Sequence, residues 1–129
     1  MKKSGILNRQ LAGALAGLGH TDLVMICDAG LPIPAGVEAV DLAFRAGTPS
    51  FAEVLDGILD ELVVEGATAA QEVSLRNPAA AGLLHNHFRR LELIPHEELK
   101  LRTREARLVV RTGEAMPYSN VLLRCGVPF

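Results

Sequence analysis

The side chains able to do chemistry in this chain gather near its two ends. One group is Gly19-His20-Thr21-Asp22, an apolar run, and then Asp28-Ala29-Gly30-Leu31-Pro32-Ile33-Pro34. The other is Arg111-Thr112-Gly113-Glu114 followed by Pro117-Tyr118-Ser119-Asn120, which leads into Val121-Leu122-Leu123. His20 falls just after an expected helix C-terminus. The negative end of a helix dipole favours the charged imidazolium, so His20 suits a proton donor near neutral pH, or a plain C-terminal cap. Asp28 can accept hydrogen bonds from ligand hydroxyls, orient a neighbouring His, or simply shape an Asx-turn before Ala-Gly. His96 opens another helix, where the positive end favours the neutral ring. Two His residues pushed in opposite directions are a way to assign acid and base roles. Tyr118, the single Tyr, and Asn120 stand at the entry to a strand, where they can hold ligand hydroxyls or just form the turn.

Other candidates carry less. His85 and His87 are two apart, and i, i+2 positions on a helix face different ways, so a metal site there is not expected. No Gly-rich phosphate loop, Gly-x-Ser-x-Gly elbow or Cys-His nucleophile pattern occurs. Glu97, Glu98, Lys100, Arg102, Arg104 and Glu105 read as a solvated helix face. With 13 Lys and Arg against 15 Asp and Glu, the net charge is −2, and no basic stripe invites nucleic acid. No uncharged run is long enough to span a bilayer, and the first residues lack the apolar core of a secretory leader. Cys27 and Cys125 stand far apart in apolar context, as expected of reduced, buried thiols in a cytoplasmic protein.

The elements that must hold these residues are legible from periodicity. At 129 residues, 49% of them apolar, one domain over 1–129 with an aliphatic core is expected. Asn8 caps a helix bearing Leu11, Leu15 and Leu18, with Gly19 as its terminator. Leu23–Cys27 is a short continuous apolar run, the mark of a strand buried on both faces. A weaker strand spans 37–42. A helix begins either at Thr48-Pro49 or at a Ser50–Glu53 capping box, and Phe51, Val54, Leu55, Ile58, Leu59 and Leu62 form its apolar face. A strand opens at 62–65, a helix at Asn77-Pro78 runs to about 88, and a strand covers 91–94. A last helix runs from His96 to about 106, before strands at 107–111 and 120–125. This alternation predicts a layered α/β domain.

Taken in order, Gly19-His20-Thr21-Asp22, Asp28 to Pro34, Asp41-Leu42-Ala43, His96-Glu97-Glu98, Arg111 to Glu114 and Pro117 to Asn120 resemble the ribose/fucose mutarotase family along nearly the whole chain. Fucose-specific members tend to carry His where this chain has Gly30 and an aromatic where it has His96, so the likeness is to the ribose pyranase branch. The resemblance implies a central mixed sheet flanked by helices. It implies an enzyme that interconverts the pyranose and furanose forms of β-D-ribose without cofactor or metal. It assigns His20 as proton donor and Asp28, His96, Tyr118, Ser119 and Asn120 to the sugar. It further implies a cytoplasmic role in ribose use, and a ring-shaped homo-oligomer, pentamer or decamer, with clefts between subunits. A ribose-binding module without catalysis and a mutarotase for another sugar such as L-fucose draw on the same residues.

Overall fold

The computed structural model describes residues 1–129. Six strands form one sheet: β1 (Leu23–Cys27), β2 (Glu38–Asp41), β3 (Val64–Ala70), β4 (Leu91–Ile94), β5 (Leu108–Arg111) and β6 (Val121–Cys125). Their order is β2-β5-β1-β6-β3-β4. β1 pairs parallel with β5, β5 with β2 and β3 with β4, while β6 lies antiparallel between β1 and β3. Five strands therefore share one direction and one runs against them. The sheet is mixed, as expected, and its carboxyl edge collects the ends of β1 to β5 and the start of β6.

Helices cover the two faces unequally. On one face α1 (Arg9–Ala16), α2 (Phe51–Leu59), the single turn α3 (Val73–Arg76) and α4 (Pro78–His87) enclose the larger core, with Val24, Ile26, Val110, Val121 and Leu123 from the strands. On the other, α5 (His96–Arg102) contributes Leu99 to a smaller cluster with Met25, Cys27, Val109 and Leu122. The alternation along β1 sends Val24 and Ile26 to one side, Met25 and Cys27 to the other. All four are fully buried, which is why the run is apolar throughout.

Several helix boundaries differ from expectation. The first helix ends at Ala16 with Gly17 as its cap, whose N–H donates to the Ala14 carbonyl, while the Leu18 N–H donates to that of Leu15. Gly19 instead donates its N–H to Asp22 Oδ2 at 2.8 Å and belongs to a separate turn. For α2 the Ser50 cap is the one used: its Oγ accepts from the Glu53 N–H at 3.1 Å, while the Thr48 carbonyl accepts from Phe44 in a neighbouring loop. The α2 face buries Phe51, Val54, Leu55 and Ile58, each worth about 1.5–3 kcal/mol as an upper figure. The helix stops at Leu59, short of Leu62. The last helix also stops early, passing into a 3₁₀ turn at Thr103–Glu105. There the buried Thr103 hydroxyl donates back to the Leu99 carbonyl at 2.8 Å, a competitor to continued α-helix.

Candidate active site

The carboxyl edge holds a cleft of about 470 Å³ lined by Asp28, Leu31, His96, Lys100, Met116 and Tyr118, among others. They reach it from several elements: Asp28 follows β1, His96 and Lys100 lie on α5 after β4, and Tyr118 precedes β6. This is where open α/β sheets place their ligands.

Asp28 is fixed on three sides. Its Oδ1 accepts from the Gly30 N–H at 2.9 Å and its Oδ2 from Asn120 Nδ2 at 3.0 Å. Its own N–H donates to Asn120 Oδ1 at 2.9 Å. Asn120 is wholly buried and Asp28 is 8% exposed, so the carboxylate is presented from a satisfied, pre-set bracket. Asn120 does not line the cleft; it stands behind Asp28. The next loop is tied in as well. Arg111 donates through Nε to the Ala29 carbonyl and pairs with Asp41, and the Ala29 N–H meets the Glu114 carbonyl.

Tyr118 sits at φ +62°, a left-handed conformation that costs a non-glycine residue about 1–3 kcal/mol unless its surroundings impose it. Here Asn77 imposes it. The buried Asn77 Nδ2 donates to the Pro117 carbonyl at 2.8 Å and to Ser119 Oγ at 3.0 Å, one residue on either side of Tyr118. Its Oδ1 meanwhile caps α4 through the Ala80 N–H. Ser119 is thus buried and engaged with Asn77, outside the cleft lining. The Tyr118 ring stands edge-on to His96, centroids 5.1 Å apart at 84°. His96 Nδ1 is buried without a hydrogen-bond partner. Its backbone N–H is gripped by both Glu72 oxygens at 3.2 and 3.0 Å, which supplies the N-terminal cap that Pro95 cannot.

His20 is elsewhere. It precedes β1 whereas Asp28 follows it, so the length of β1, about 16 Å at 3.3 Å per residue, separates them. Its Nε2 lies 3.0 Å from Glu65 Oε2, and the side chain is 52% exposed. With α1 ending at Ala16, the helix dipole is no longer the nearest influence on this ring, since that effect fades within the last turn. The single chain therefore brings together Asp28, His96 and Tyr118, supports them with Asn120 and Ser119 from behind, and leaves His20 at the opposite edge.

Three residues that sequence reasoning passed over belong to the site. Lys100 falls in the run whose charges suggest a solvated helix face. It lines the cleft one turn after His96, its Nζ 2.7 Å from Glu97 Oε1. The i, i+4 spacing from His96 was the available signal. Glu72 and Asn77 act through the backbone, at contacts 24 and 40 residues distant in sequence, which no local pattern announces. The two His residues on α4 lead elsewhere: His87 pairs with Asp56 at 2.8 Å.

A mixed sheet with a polar cleft at its carboxyl edge is the arrangement of a small-ligand α/β protein. Residues 1–128 match the RbsD / FucU transport protein family, and the chain belongs to it. It is 74% identical to D-ribose pyranase 2 of Streptomyces griseus over 129 residues, all of both chains. Among solved structures, it overlays Bacillus subtilis RbsD complexed with D-ribose with a TM-score of 0.95 and 46% identity over all of both chains. A fucose mutarotase from Streptococcus pneumoniae, in complex with L-fucose, shares the fold at a TM-score of 0.78 but only 20% identity, over 95% of each chain.

Proposed function

We propose that this chain is a cofactor-free ribose mutarotase that interconverts β-D-ribopyranose and β-D-ribofuranose by acid–base-assisted ring opening. The full-length match to Bacillus subtilis RbsD, whose structure is of a complex with D-ribose, supports this most directly. The 74% identity to a D-ribose pyranase supports the activity, and the distance from the fucose mutarotase favours ribose over fucose.

In this reading the cleft holds the pentose, with Asp28 and Lys100 on its hydroxyls and the Tyr118 and His96 rings against its apolar face. The bond from C1 to the ring oxygen breaks, its electron pair moves onto that oxygen, and the oxygen takes a proton from His20. The anomeric hydroxyl gives up its proton to the Asp28 carboxylate, leaving the open aldehyde. Closure through a different hydroxyl reverses both transfers and restores each group. Positioned acid–base groups of this kind contribute about a hundred- to ten-thousand-fold.

Because His20 and the cleft lie at opposite edges of one sheet, the working site is assembled from two copies. The donor edge of one chain closes the cleft of the next, in a ring-shaped homo-oligomer, pentamer or decamer. No helix of the structure is long and apolar enough to cross a membrane. The activity fits a cytoplasmic role in ribose use.

Magnetization-transfer NMR on ribose at equilibrium tests the function. Exchange between ring forms should rise well above its buffer value with catalytic amounts of protein, and more for ribose than for fucose. Exchange left at the buffer value would refute the enzyme. Calorimetric ribose binding without faster exchange would instead select a passive binding module.

A further inference from the structure

The turn that carries His20 is braced for a task. The Gly19 N–H donates to Asp22 Oδ2 at 2.8 Å, and the Thr21 N–H donates to the Cys125 carbonyl at 2.9 Å, with Thr21 at φ +69°. His20 Nε2 then meets Glu65 Oε2 at 3.0 Å, and the other Glu65 oxygen, Oε1, accepts from Arg124 Nε at 2.9 Å. The backbone under Glu65 is irregular. Val64 pairs with Cys125 and Gly66 with Arg124, so Glu65 is the extra residue of a bulge in β3. Bulges re-aim side chains and gather beside active sites. A turn, a bulged strand and β6 thus meet at this ring: the turn carries it, Glu65 bonds its nitrogen and Arg124 holds Glu65.

We propose that Glu65 is a positioning residue for His20, holding its Nε2–H so that Nδ1 is the nitrogen that exchanges a proton with the sugar. The proposal rests on His20 being the proton donor of the reaction above. Arg124 plays the third part by occupying Oε1, which leaves Oε2 alone to face the ring. The logic is that of a carboxylate that fixes the tautomer and orientation of a catalytic imidazole without itself taking the proton. Charged groups at this edge include Glu65, Arg124, Asp22, Arg90 and Glu105, and of these only Glu65 bonds the ring.

Glu65 lies on the donor edge, so its loss should act on the proton step and spare the sugar. For Glu65→Ala, ring exchange at saturating ribose should fall about tenfold or more, with half-saturation within about twofold of wild type. Unchanged exchange, or a defect that ribose concentration overcomes, would overturn the proposal. Complementation sharpens this. An equal mixture of E65A and D28A chains should regain activity, because D28A supplies an intact donor edge and E65A an intact cleft. A mixture of E65A and H20A chains should regain none. The reverse pattern would place Glu65 on the sugar side and end the proposal. An H20A and D28A mixture is the control for the shared site itself.

A readout free of turnover separates failure of the contact from failure of the mutarotase reading. In Glu65→Gln one carbonyl oxygen must serve two donors. Arg124 has no acceptor form, so the amide NH₂ is left for His20 and demands a bare Nε2. Imidazole ¹⁵N spectra of the neutral ring should show the proton on Nε2 in the wild-type protein and on Nδ1 in the Gln variant. An unaltered tautomer between the two would overturn the contact, whatever the exchange rate.

Discussion

At the residue scale, the site is built from side chains that hold one another. Asp28 and Asn120 exchange two hydrogen bonds in a buried setting. Asn120→Ala should therefore cost about 1–3 kcal/mol by leaving a buried N–H and part of a carboxylate unsatisfied, and should weaken ribose binding through Asp28. Urea denaturation and ribose titration check both. Cys27 shows the opposite use of burial. Loss of hydration, then the adjacent Asp28 carboxylate, pushes its thiol from 9.0 up to about 12. The native state thus keeps the proton while the unfolded chain loses it. Stability from this group is complete below pH 9 and falls by about 1.4 kcal/mol per pH unit as pH rises from there toward 12. Cys27→Ala should flatten the alkaline limb of a stability–pH curve by about that slope. A limb of unchanged steepness would mean the thiol ionises in the folded protein.

At the element scale, the cleft depends on how closely two loops can pack. The Gly113 carbonyl accepts from the Gly47 N–H at 2.6 Å and its N–H donates to the Pro49 carbonyl at 2.9 Å. A Cβ on Gly113 would fall onto the Thr48 carbonyl and lie 2.7 Å from the Arg45 carbonyl, all backbone that cannot swing aside. Gly113→Ala should cost about 3 kcal/mol or more. It should also disturb Glu114, whose carboxylate accepts from the Phe51, Ala115 and Met116 N–H groups and so ties the cleft loop to the start of α2. Ser50→Ala, a plain loss of the α2 cap, should cost only about 1 kcal/mol and leave ribose exchange intact. Denaturant midpoints paired with exchange rates separate the two effects.

At the scale of the whole molecule, topology forces the division of labour. With β1 to β5 parallel, their loops at the carboxyl edge converge on the cleft, whereas the turn before β1 must lie at the amino edge. On the proposed mechanism, a proton donor there acts on sugar held by another copy. His20→Ala and Asp28→Ala chains, each inactive alone, should then recover about a quarter of wild-type exchange when mixed equally, since a quarter of random neighbour pairs combine both intact edges. Light scattering on the same samples should report an oligomer. A monomer at micromolar concentration, or mixtures that stay inactive, would contradict a site shared between chains.

Local pattern settled much of this protein in advance. The apolar run at Leu23–Cys27 had to be a buried strand, the spacing from Phe51 to Ile58 had to be an amphipathic helix, and Asp28, His96 and Tyr118 stood out by residue type at element ends. These features follow from neighbours within a few residues, where periodicity and capping chemistry operate. Tertiary structure alone decided which of them meet. The insertion of β6 between β1 and β3 puts Asn120 behind Asp28, β3 brings Glu72 to His96, and Asn77 reaches over to hold Tyr118 in a left-handed turn. It also carried His20 away from them to Glu65. Hydrogen bonds that span 24 to 92 residues leave no periodic trace in the chain, because their energy depends on where strands lie in the sheet and not on what stands beside them in sequence.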